Sequence, residues 1–148
     1  MHMRTVAVVG CLFLLTAAVG AAGIDLKPIV DPYLRIQQAL TVDRLDGISN
    51  DAQSIATAAS KLGSDGGSIE AAASELLQAS DLKSARAAFG ALSDAIVTVA
   101  KTSGQGYGKD VRLAYCPMVR KHWLQKGDKV QNPFFGAKMS DCGRFDTN

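Results

Sequence analysis

Six apolar residues recur between Leu82 and Val99 at alternating spacings of three and four: Leu82, Ala85, Phe89, Leu92, Ile96 and Val99. A helix turns once every 3.6 residues, so these side chains share one stripe, and such a stripe is the seam of a packed helical bundle. The upstream sequence fits the same scheme. In "DPYLRIQQALTVD", Asp31 offers an N-cap and Pro32 a first helical position, where a missing N–H is harmless. Tyr33, Ile36 and Leu40 then line one face. "DGISNDAQSIATAASKLG" sets Ile48, Ala52, Ile55, Ala59 and Leu62 at helical spacing and stops on Gly63. "SDGG" reads as a turn, after which "SIEAAASELLQA" opens on Ser68 as a cap, with Glu70 complementing the helix dipole. The spacing predicts four helices at about 32–42, 46–62, 68–79 and 81–101. Short turns between them predict an all-α, up-down four-helix bundle with Phe89, Leu92 and Ile96 in its core.

The first 23 residues, "MHMRTVAVVGCLFLLTAAVGAAG", read differently. Arg4 gives a short basic start, an apolar run follows from Val6, and Ala18, Gly20, Ala21, Ala22 and Gly23 close it with small residues. This is the layout of a secretory signal peptide cut between Gly20 and Ile24, which places the mature chain in the periplasm or outside the cell. An uncleaved membrane anchor has a similar length. "VVGC" resembles a lipoprotein processing box, but Cys11 interrupts the apolar run instead of ending it, so it reads as an apolar residue of the leader. Without Arg4 the chain carries 16 − 1 = 15 basic against 14 acidic residues. That near balance argues against a nucleic-acid binder.

"SGQGYG" at 103–108 ends the helical pattern, dividing a helical body at 24–108 from a tail at 109–148. In "DVRLAYC", Val111, Leu113 and Tyr115 alternate with polar residues like a short strand. "KGDK" and "QNP" are turn signals, and Asn132, Pro133 and Gly136 supply turn chemistry. Trp123, Phe134 and Phe135 read as apolar anchors, and His122 lies among Arg120, Lys121 and Lys126 as part of a solvated basic turn. The tail is therefore expected to be an irregular cap packed on the bundle.

The tail also gathers sulfur. "YCPM" and "KMSDCG" pair a cysteine with a methionine in mirrored order: Cys116 with Met118, then Met139 with Cys142. On an extended segment residues two apart face the same way, and in a helical turn residues three apart do. Brought together, the two segments offer two thiolates and two thioethers, a soft set suited to Cu(I) or Ag(I) and poorly suited to hard cations. Zinc matches less well, since it draws on Cys and His and does not select methionine. His122 is a further candidate ligand. Two cysteines in an exported domain also suggest a disulfide. A Cys116–Cys142 bond would close a loop of about 26 residues, worth roughly 3 kcal/mol. Spacing leaves metal site, disulfide and free thiols all open.

"YCPM", a spaced "WL", "NPFFG" and "KMSDCG" together resemble the C-terminal signature of the DUF3347 family. "YLRIQQALTVD" and "ARAAFGALSDAIV" resemble its first and last helices, so the similarity spans nearly the whole mature chain. The resemblance implies an exported helical domain, found alone or joined to the periplasmic adaptor subunits of copper/silver-type heavy-metal efflux pumps. It also implies soft-metal binding through Cys116, Met118, Met139 and Cys142. The short basic "VRKHW" departs from the Gly-rich spacer often found in that family.

No Cys-x-x-Cys redox pair, Cys-x-x-Cys-His haem site or His/Asp set around a nucleophile occurs, so the chain is not expected to be an enzyme. The expected function is periplasmic capture of Cu(I) or Ag(I), with a heavy-metal efflux adaptor as partner and the membrane met only through the signal segment. The competing expectation is a disulfide-stapled structural or interaction module of the cell envelope with no metal.

Overall fold

The computed structural model describes residues 23–146. The expected leader up to Ala22, with Cys11, lies outside the described residues. Four helices come first: α1 (Lys27–Thr41), α2 (Ile48–Ser60), α3 (Gly67–Leu77) and α4 (Leu82–Ser103). Three strands follow: β1 (Val111–Cys116), β2 (Lys121–Lys126) and β3 (Arg144–Phe145). They form one antiparallel sheet in the order β2-β1-β3. The all-α expectation is thus corrected to a mixed architecture, and the irregular cap to a small sheet with a fastened loop. Among the described residues, no helix is long and apolar enough to cross a membrane.

The helix starts show which local signals win. α1 begins a turn before the Asp31–Pro32 pair, with Pro28 in its second position. The Asp25 carboxylate accepts the Lys27 N–H at 3.0 Å, and the Leu26 carbonyl accepts those of Ile29 and Val30. Pro32 therefore sits inside the helix, one turn in, where the carbonyl it leaves unbonded belongs to Pro28 in the first turn. Asp31 does not cap; it pairs with Lys27, one turn back on the same face. α3 begins at Gly67, so Ser68 lies in its first turn and makes no cap. α4 has the best-formed start: Asp81 accepts the Ser84 N–H at 2.7 Å, and the Ser84 hydroxyl accepts the Asp81 N–H at 3.2 Å.

Each helix packs on the next in sequence, and β2 lies against both α4 and α1. Phe89, Leu92 and Ile96 of the α4 seam are fully buried, as the spacing predicts. Tyr33 of α1 joins the layers. Its ring stacks on Phe89 at 4.8 Å, its hydroxyl meets Ser93 at 2.6 Å, and it accepts the N–H of Leu124 on β2 at 3.1 Å. The outer edge of the sheet is thereby paired with a helix side chain, so that N–H is not left open. Burial pushes the Tyr33 phenol far above its usual range, so it stays neutral and able to donate. Tyr33→Phe will leave the Leu124 N–H buried and unpaired. We expect a loss of about 1–3 kcal/mol by urea denaturation.

A second junction fastens the loop that follows β2. Arg86 of α4 donates to the carbonyls of Pro133 at 2.8 Å and Leu40 at 3.0 Å, and pairs with Asp43 just past α1. The Asp43 carboxylate also accepts the Ala137 N–H at 3.1 Å. Gly136 comes so close that a Cβ there would fall 2.1 Å from Asp43 Oδ1, and its φ of +57° is left-handed. Nearby, Gln37 donates to the Gln131 carbonyl at 2.8 Å. Arg86, followed by Ala137, holds the Asp43 carboxyl below its usual range. A depressed carboxyl stabilises the fold above its unfolded value, about 3.9, and loses that contribution as pH falls through the folded value. Loop docking should therefore weaken below about pH 4. Asp43→Asn should show a smaller drop in urea midpoint on acidification than the parent protein.

Candidate metal centre

The sulfur residues are placed by a hairpin and by the third strand. β1 and β2 pair from Val111–Lys126 to Cys116–Lys121, so Cys116 is the last residue of β1 before the turn. Pro117 to Arg120 make that turn, and Arg120 takes a left-handed φ of 54° to close it. Met118 and Val119 stand out at its tip, with Met118 60% exposed. β3 pairs on the other side of β1, Arg144 with Tyr115 and Phe145 with Ala114. Continuing that register sets Gly143 beside Cys116 and brings Cys142 to the end of the hairpin.

The approach is close because Gly143 has no side chain. A Cβ there would sit 2.8 Å from the Trp123 ring and 2.9 Å from the Tyr115 carbonyl, at a φ of +138° that glycine alone adopts readily. Gly143→Ala should push Cys142 off β1 and cost about 1–3 kcal/mol, measured by urea denaturation, with faster labelling of Cys116 by a thiol probe. Asn132 holds the other side of the segment. Fully buried, it donates to the Cys142 carbonyl at 2.6 Å, its N–H meets the Ser140 carbonyl at 2.6 Å, and its side-chain oxygen accepts the Phe134 N–H at 2.8 Å. Phe134 then lies edge-on to Trp123 at 6.0 Å and tilted against Phe89 at 5.9 Å. Trp123 is fully buried, and its indole N–H donates to Gln125 at 3.0 Å.

Two sulfurs, Cys142 and Met118, meet at this junction, where Cys116 ends β1. Cys116 is fully buried and Cys142 is half-buried, and both are free thiols. The Cys142 thiol lies 3.8 Å from the Met118 thioether, and the pairing of β1 with β3 carries it to the end of the strand that Cys116 closes. Burial pushes the Cys142 thiol up, and the neighbouring Cys116 and Asp141 add to the shift. A cation would therefore bind at Cys142 by displacing its proton. Met139 opens the turn that carries Cys142: its carbonyl accepts the Cys142 N–H at 3.2 Å. Its side chain is half-buried.

His122 belongs to another cluster. It pairs across the strands with Tyr115, so the pleat turns it to the face opposite Cys116 and Lys121. Its Nε2 is 3.0 Å from the Asp146 carboxylate, and its ring is 4.8 Å from that of Tyr115. Among the described residues, no group of three or more His, Cys, Asp or Glu side chains gathers as a metal-binding set. What the junction offers is sulfur. Asn132 and Gly143 are the positioning residues that spacing rules miss. The "NP" and "CG" pairs in the sequence are their only local sign.

No family model, no curated protein and no solved structure matches the chain.

Proposed function

We propose that the protein is an exported carrier of a soft monovalent cation, Cu(I) or Ag(I), which it binds as cargo and does not transform. Cys116 and Cys142 would supply thiolates and Met118 an exposed thioether, with Met139 as a fourth sulfur from the turn that carries Cys142. The observation behind this reading is the meeting of Cys142 and Met118 at 3.8 Å, from segments far apart in sequence, at the end of the strand that Cys116 closes. Thiolate and thioether are the donors that favour Cu(I) and Ag(I) over harder cations. The exposed Met118 gives the cargo a way in and out. Delivery to a heavy-metal efflux adaptor in the periplasm is the destination suggested by the resemblance of the signature.

The test is a Cu(I) titration of the reduced protein against a competing chelator in the absence of oxygen. One equivalent should bind per chain and resist the chelator, while Zn(II) and Mg(II) bind far more weakly. A second reading, a disulfide-stapled envelope module, draws on the pairing of β1 with β3, which sets the segments of Cys116 and Cys142 side by side. It predicts that the protein isolated from cells has no thiol that reacts before reduction.

A further inference from the structure

The two cysteines lie on adjoining segments of the sheet but are unequal in access. Cys116 ends β1 fully buried, whereas Cys142 is half-buried and lies against the exposed Met118. A dissolved reagent can therefore reach the sulfur of Cys142 and not that of Cys116. Once Cys142 has reacted, the thiol nearest in the fold is Cys116, since the pairing of β1 with β3 sets Gly143, the next residue after Cys142, beside it. We propose that Cys142 is the site of attack on small disulfides and that Cys116 is the resolving thiol, so that the pair is a thiol–disulfide switch.

The chemistry balances in two exchanges. Cys142 loses its proton and attacks one sulfur of a small disulfide, R–S–S–R. The R–S–S–R bond breaks, one thiolate leaves with the electron pair and takes up a proton, and a Cys142–S–S–R bond forms. Cys116 then loses its proton and attacks the Cys142 sulfur, releasing the second thiolate, which is protonated in turn. Two protein thiols are oxidised to one disulfide, and one small disulfide is reduced to two thiols. The Cys142 carbonyl stays tied to Asn132 and β3 stays paired to β1, so the two segments that carry the cysteines are held side by side while this happens. In the oxidised state neither cysteine offers a thiolate, and soft-metal cargo would be released; this consequence rests on the carrier reading, but the exchange itself does not.

The test uses the full chain with Cys11 replaced by serine, reduced, free of metal and treated with oxidised glutathione. Acid-quenched samples are followed by mass and peptide mapping. Early samples of the otherwise unaltered protein should carry one glutathione, on Cys142, and late samples none, with two hydrogens lost and Cys116 joined to Cys142. Adding Cys116→Ser should make the Cys142 adduct accumulate. Adding Cys142→Ser should slow all modification at least about tenfold, as burial of Cys116 requires. Early adducts on Cys116, equal rates for the two variants, or a stable adduct that never resolves in the unaltered pair would each overturn the proposal. Mapping of the unaltered pair decides the order of attack even if a variant folds poorly. Failure of the reduced protein to retain Cu(I) would refute the carrier reading and leave this result untouched.

Discussion

Serine at Cys116 or at Cys142 will lower Cu(I) affinity by more than about 100-fold, because even changes behind the ligands of a metal site cost about 10–100-fold. On the carrier reading the thiolate supplies most of the binding energy, and a serine hydroxyl is neither ionised at neutral pH nor soft. Cys142→Ser is the cleaner of the two. Its side chain is half-buried, and the carbonyl and N–H that hold the segment belong to the backbone. Met118→Leu should weaken Cu(I) binding by a smaller factor and leave stability unchanged, since Met118 is 60% exposed. If the sulfur only staples the tail, the pattern reverses. The cysteine substitutions then lower the stability of the oxidised protein by about 2–5 kcal/mol, and Met118→Leu changes nothing measurable.

Trp123→Ala should cost about 3–5 kcal/mol, the largest single loss of stability we expect. The indole is fully buried and makes three kinds of contact: an edge to Phe134, a hydrogen bond to Gln125 and the close approach to Gly143. Removing it takes the floor from under both the β3 segment and the loop fastened by Asn132. Since domains of this size are stable by about 5–15 kcal/mol, the loss is a large share of the whole. The measurement is a urea unfolding curve. The sheet and the sulfur junction should open first, with the helical signal lost later, because Phe89, Leu92 and Ile96 form a seam among the helices. Full unfolding in one step at an unchanged midpoint would show that Trp123 does not hold the layers together.

The parts of the fold legible in the sequence are those with one buried stripe. α4 is covered on one side and wet on the other, so its apolar residues recur with the period of a helix. β2 has no such contrast. Trp123, Leu124 and Gln125 are all buried in succession, so the two-residue alternation of a half-buried strand disappears, and Arg120, Lys121 and His122 before them look like a solvated turn. Lys121 in fact reaches α4 to pair with Asp94. β3 is two residues long and exists only because β1 is there to pair with. At α1 the Asp31–Pro32 pair is a sound start signal that loses to Asp25 and Pro28 one turn earlier.

The site divides in the same way. The mirrored Cys/Met pairs are visible as a pattern, and the contact of Cys142 with Met118 places two of those residues together. His122 looked available only because strand parity is invisible until the register with Tyr115 is known. The Arg86–Asp43 junction and the Asn132 anchor join residues distant in sequence, and no local period encodes such a meeting.

X-ray absorption at the copper edge of the reduced protein loaded with one equivalent of Cu(I) addresses the central claim most directly. The carrier reading predicts a first shell made of sulfur alone, reduced in sulfur number by Cys142→Ser. A shell of nitrogen or oxygen, or copper washed out before the spectrum is taken, would contradict it.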